Sequence, residues 1–115
     1  MNTIAQLNKI TNEVSDKVRD ALGGKLRKIL LYGSYARGDY HENSDVDIMV
    51  LADMKKPDEL QKMEKKLWDI GWGVGYAHDV MVSVFLKDNN HFYDWIDAMA
   101  YYRNVAEDGV VLYGA

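Results

Sequence analysis

The sequence predicts a two-layer α/β domain, and three observations carry that prediction. Apolar residues at helical spacing alternate along the chain with short apolar runs of strand length. The runs are separated by Gly-Gly, Gly-Ser and Asp-Asn-Asn breaks. The 115 residues, 48% of them hydrophobic, are enough to bury a single core, so residues 1–115 are expected to form one domain. No repeat, linker or low-complexity tract interrupts it.

The elements follow in order. Ile4, Leu7, Ile10, Val14, Val18 and Leu22 recur at helical spacing from Thr3 to Leu22, and Gly23-Gly24 ends that helix, which should cover the sheet. Leu26 to Tyr32 is a first strand running into Gly33-Ser34 and a short helical turn. Gly38-Asp39 and the polar stretch Tyr40-His41-Glu42-Asn43-Ser44 return the chain to a second strand, with His41 and Glu42 on the loop surface. That strand begins at Asp45-Val46-Asp47 and continues as the apolar run Ile48-Met49-Val50-Leu51. Pro57 opens a helix with Leu60, Met63, Leu67 and Ile70 as its apolar stripe and charges on the solvated side. From Trp68 to Tyr76, Gly71, Gly73 and Gly75 make poor helix material, expected as a loosened end. They follow a helix instead of a strand, so they are no dinucleotide fingerprint. Asp79 to Leu86 alternates, with Asp79, Met81, Ser83 and Phe85 on one face and Val80, Val82 and Val84 on the other. Asp88-Asn89-Asn90 caps a helix carrying Phe92, Trp95, Ile96 and Met99, a last helical turn from Arg103 to Glu107 stops at Gly109, and Val110 to Tyr113 is a terminal strand.

The chemistry concentrates around residues 33–47. On a strand, Asp45 and Asp47 point to one face roughly 6.6 Å apart. At an effective dielectric of about 20 their charges repel by about 2.5 kcal/mol, a penalty that Mg²⁺ would relieve, since it takes one or two protein carboxylates and draws its other ligands from water and substrate phosphates. The plainer alternative is an acidic junction between loop and strand, exposed to water. Gly33 allows close approach to the backbone, and Ser34 with the N-H groups of the following turn suits an anion. Arg37 offers a forked guanidinium to the same phosphates, or is a solvated loop arginine.

Gly33-Ser34, ten residues, then Asp45-x-Asp47, within the fuller strings Gly-Ser-Tyr-Ala-Arg-Gly-Asp and Ser-Asp-Val-Asp-Ile, resembles the minimal nucleotidyltransferases of the DNA polymerase β superfamily. Tyr102 to Tyr113 looks like the ending of many such chains, so the likeness spans nearly the whole length. The resemblance implies a small mixed sheet backed by helices, with the metal site at one sheet edge. It implies that Gly33 and Ser34 hold nucleotide phosphates while Asp45 and Asp47 bind Mg²⁺, as two ions. Such families complete the site with a third carboxylate from a neighbouring strand. Here the candidate is Asp79, which would orient or deprotonate the acceptor hydroxyl, and its alternative role is to mark the turn after His78. The implied reaction is in-line attack on the α-phosphorus of ATP with pyrophosphate leaving.

Three functions stay open. In the first, the chain resembles the MNT half of HEPN/MNT toxin-antitoxin pairs and transfers AMP from ATP to a hydroxyl, a tyrosine, of a HEPN toxin. In the second, it is an antitoxin or scaffold that neutralises by docking and binds nucleotide only as a ligand. In the third, it modifies a small hydroxyl compound, which requires an acceptor pocket and thus a homo-oligomer or a partner. The chain holds no obvious second domain for an acceptor, so a separate protein is expected to supply it. A net charge of -4 and a pI near 5.2 disfavour nucleic-acid grooves. With no cysteine, disulfides and thiolate zinc sites are excluded. No apolar run approaches a membrane span and no signal core is visible, so a cytoplasmic protein is expected. Phe92, Tyr93, Trp95, Tyr101 and Tyr102, joined by Trp72 and Tyr76, are either core or a docking surface. His78 and His91 lack companions at metal-ligand spacing.

Overall fold

The computed structural model describes residues 4–41 and 43–114; Thr3 and Glu42, both placed by the sequence reading, lie outside them. The elements are α1 (Ile4–Leu22), β1 (Leu26–Tyr32), α2 (Ser34–Arg37), β2 (Val46–Ala52), α3 (Pro57–His78), β3 (Val82–Asp88), α4 (Asn89–Asp94), α5 (Ala100–Asp108) and β4 (Val110–Tyr113). The sheet is mixed, in the order β3-β2-β1-β4, with β1 antiparallel to β2 and β4, and β2 parallel to β3 across the α3 crossover.

Strand alternation sends the two faces of the sheet into separate cores. Ile29, Leu31, Val46, Ile48, Val50, Val82 and Val84 pack under Ile10, Val14 and Val18 of α1 and Leu67 and Val74 of α3. Leu30, Tyr32, Met49 and Leu51 turn the other way and meet Phe92, Tyr102 and Val105 from α4 and α5. The expected two layers therefore gain a partial third. Being covered on both sides explains why β2 reads as a continuous apolar run instead of an alternating one.

The glycine-rich stretch corrects the sequence reading. It is not a loosened end, because α3 runs unbroken for 22 residues. Gly71 and Gly75, one turn apart, face β3 at a distance no side chain would permit: a Cβ would stand 2.7 Å from the Val82 carbonyl oxygen at Gly71 and 2.4 Å from that of Val80 at Gly75. Their helix-weakening tendency is traded for close packing of helix on strand. The helix ends in a Schellman motif, with Val80 N-H donating to the Gly75 carbonyl (3.0 Å) and Asp79, at φ 55°, donating to Tyr76.

The C-terminal helices differ too. Asp88 caps α4 as expected, its Oδ2 accepting from His91 N-H (3.1 Å) while Oδ1 accepts from Met54 N-H (3.0 Å). That helix stops at Asp94, and turns from Trp95 to Met99 redirect the chain before α5 starts at Ala100. The break lets Tyr102 and Val105 reach the sheet while Trp95 and Met99 stay exposed. The aromatic cluster divides accordingly: Phe92 and Tyr102 are core, and Tyr93, Trp95 and Tyr101 are exposed. Among the described residues no helix is long and apolar enough to cross a membrane.

Candidate active site

The antiparallel register of β1 and β2 sets Tyr32 opposite Asp47, so Gly33 leaves β1 beside the carboxylate pair. Gly33 has φ 74° and ψ -155°, a region essentially closed to side chains. Its missing Cβ matters as well, because that atom would stand 2.7 Å from Asp47 Oδ2. Sequence and geometry thus require glycine here on two independent grounds. The backbone then closes one helical turn, Ala36 and Arg37 N-H both donating to the Gly33 carbonyl at 3.1 Å, and exits through Gly38 at φ 85°. Ser34, half-buried, opens that turn.

Asp45 is exposed and Asp47 half-buried. Burial first, and the Asp45 charge second, push the Asp47 carboxyl above its ordinary range, with Arg37 pulling weakly the other way. Arg37 does not neutralise the pair because its guanidinium is engaged elsewhere: Nε donates to Asp39 Oδ2 at 3.2 Å, and Nη1 lies 3.6 Å from Asp108 Oδ2. The Tyr35 ring stacks on Tyr40 with centroids 4.5 Å apart, and its buried hydroxyl has no hydrogen-bond partner. Burial raises that phenol, with Tyr40 and the Asp45 charge adding to the effect. The carboxylates of exposed Asp45 and half-buried Asp47, on one face of the strand start, are hard oxygen donors of the kind a divalent cation such as Mg²⁺ takes.

The remaining predicted residue is placed differently. β3 does adjoin β2, as the third-carboxylate expectation needed, but it begins at Val82, and Asp79 is the left-handed cap of α3. The register sets Ser83, buried, beside Asp47. Among the described residues no group of three or more acidic or histidine side chains is gathered for a metal. Nor does the site lie on an edge strand, since β1 and β2 are both interior and it occupies their ends. His78 pairs with Glu13 (3.1 Å) and His91 lies edge-on to the Tyr102 ring, both structural roles.

Residues that the sequence reading did not assign to the site complete one wall. The Tyr32 and Tyr101 hydroxyls share a hydrogen bond of 2.7 Å. Burial raises both phenols, and the Asp47 charge acts on both in the same sense. A cleft of about 170 Å³ opens there, lined by Tyr32, Gly33, Arg37, Tyr101, Asn104, Val105 and Asp108. Tyr101, Asn104 and Asp108 recur at helical spacing on α5, which was the available signal.

Comparison with known proteins gives four concordant findings. The model of the nucleotidyltransferase domain family matches residues 7–111. A Methanocaldococcus jannaschii protein, named as a candidate protein adenylyltransferase, is 33% identical over 113 residues, covering 98% of this chain and all of its own. A chain of a solved toxin-antitoxin complex with AMP-PNP superposes with a TM-score of 0.60 at 27% identity, over 91% of this chain and 73% of its own. A solved complex of tri-AMPylated Shewanella oneidensis HEPN toxin with MNT antitoxin matches at 0.55 and 22% identity, over 94% and 72%, a likeness of fold alone.

Proposed function

The chain belongs to the nucleotidyltransferase domain family, and we propose that within it the protein is a cytoplasmic antitoxin that transfers AMP from ATP to a tyrosine hydroxyl of a partner HEPN toxin. The observation that carries the reading is the close approach of Gly33 to Asp47, where the turn after β1 is built around a half-buried carboxylate that makes no ion pair among the described residues. Similarity to a protein named as an adenylyltransferase and to toxin-antitoxin complexes supports the acceptor class.

In this reading Asp45 and Asp47 hold Mg²⁺. The metal supplies charge neutralisation along the triphosphate and at the leaving pyrophosphate. Gly33 and Ser34 take the phosphates at the end of β1, where a side chain on residue 33 would block them. Arg37 exchanges its contacts with Asp39 and Asp108 for a phosphate, the anion its fork matches best. Asp79 is left out of the metal set, since it lies ahead of β3 at the end of α3 and the register sets Ser83, not Asp79, beside Asp47. The acidic surface supports a protein acceptor over a polynucleotide.

The test is label transfer from ATP carrying the label at the α- or the γ-phosphate, with Mg²⁺ and a co-purified partner. Label should enter the partner only from the α position and be lost in the Asp45→Asn/Asp47→Asn double variant. If the variant neutralises the partner as well as the wild type and no label reaches it from either position, the protein is a docking antitoxin and the enzymatic reading is wrong.

A further inference from the structure

We propose that Tyr101 is an internal acceptor, so that the protein adenylylates itself on the Tyr101 hydroxyl. The inference rests on the transferase reading above and adds a modification site on this chain.

Placement carries it. A phenol that shares the active-site cleft needs no encounter and is present at a high effective concentration, so it competes with an acceptor brought by a partner. Tyr101 is such a phenol. It is 43% exposed as a residue, and it lines the same cleft as Gly33 and Arg37. Its hydroxyl is 2.7 Å from that of Tyr32, whose strand neighbour is Asp47. The other tyrosines lack this combination. Tyr35 is buried under Tyr40, Tyr102 is in the core, and Tyr40, Tyr76, Tyr93 and Tyr113 line no part of this cleft. Tyr32 is buried within the sheet and offers no free acceptor.

In the step, a bond forms between Tyr101 Oη and the α-phosphorus of ATP as the bond from that phosphorus to the pyrophosphate oxygen breaks. The phenolic proton passes to water, and the products are a tyrosine-AMP phosphodiester and pyrophosphate. Tyr32 keeps its own proton and can still donate to the esterified Tyr101 Oη.

The experiment incubates the isolated full chain with Mg²⁺ and α-labelled ATP, follows intact mass, and maps the adduct by peptide sequencing in the wild type, which avoids dependence on any variant's folding. The expected result is one AMP on Tyr101, formed at a rate per molecule independent of protein concentration. It should be absent from the Asp45→Asn/Asp47→Asn chain and from Tyr101→Phe, whose folding is checked by its melting curve. An adduct on another residue, a rate rising with protein concentration, or label entering a partner while the chain stays unmodified would each overturn the self-acceptor role and leave the transferase reading standing. Absence of transfer to any acceptor would overturn both.

Discussion

At the scale of single residues, the pair Asp45 and Asp47, in the proposed metal-binding role, sets function against stability. Above its raised pKa, Asp47 is ionised in a half-buried place beside a like charge, and folding suffers for it. The sign follows from linkage. Between the ordinary carboxylate value and the raised one, the folded state binds more protons than the unfolded state, so stability falls as pH rises through that window. Asp53, held below its ordinary range by the hydrogen bond from Arg27, contributes the opposite slope at lower pH. Replacing Asp47 with Asn should therefore raise the melting temperature of the metal-free protein at neutral pH and flatten the fall above the ordinary carboxylate range, while abolishing transfer. Melting curves of both proteins between pH 4 and 8 check this; a variant less stable than wild type at neutral pH would show that the carboxylate is internally compensated. Most of this site was legible in sequence, because Gly33, Ser34, Asp45 and Asp47 are close along the chain and strand alternation alone puts the carboxylates together. Tyr101 was not, since its approach to Tyr32 spans 69 residues and depends on how α5 crosses the sheet. The strand expected from Asp79 begins at Val82, because the alternation with Met81 and Ser83 runs on past the strand start into the cap of α3.

At the scale of elements, α3 shows how far local propensity can mislead. Three glycines at alternate positions read as a helix end, yet two of them are the surface on which β3 rests, a close helix-on-strand packing that single-residue propensity does not encode. The three separate cleanly by environment. A Cβ at Gly73 would meet nothing within 4 Å, so Gly73→Ala should stabilise by about 0.5–1 kcal/mol through helix propensity and the restricted unfolded chain. At Gly75 the same methyl would stand 2.4 Å from a backbone carbonyl, which cannot rotate away, so Gly75→Ala should destabilise by about 1–3 kcal/mol despite the same propensity gain. Denaturant midpoints for the two variants give the comparison, and equal signs would mean that the helix slides on the strand to absorb the clash. The split between α4 and α5 was hidden for a related reason: apolar spacing from Phe92 to Met99 is helical, but only Phe92 of that set is fully buried.

At the scale of the molecule, the site stands where the turn after β1, the start of β2 and the exposed face of α5 converge, three pieces joined to one another chiefly through the sheet. A ligand that touches all three binds only the folded chain, so its free energy adds to stability by mass action, about 2.7 kcal/mol at a hundredfold excess over its dissociation constant. For a domain of this size that corresponds to a rise in melting temperature of roughly 10 °C. The dependence on metal makes the prediction specific. ATP with Mg²⁺ should give the full shift and ATP with chelator only a small part of it, because the phosphates would then face Asp45 and Asp47 with no cation between them. In the Asp45→Asn/Asp47→Asn chain that repulsion is gone, so ATP alone should stabilise it at least as well as it does the wild type, and Mg²⁺ should add nothing. A shift in wild type that is indifferent to Mg²⁺ would mean that nucleotide binds away from the carboxylates, and the joint assignment of Gly33 to phosphate and of the aspartates to metal would fail with it.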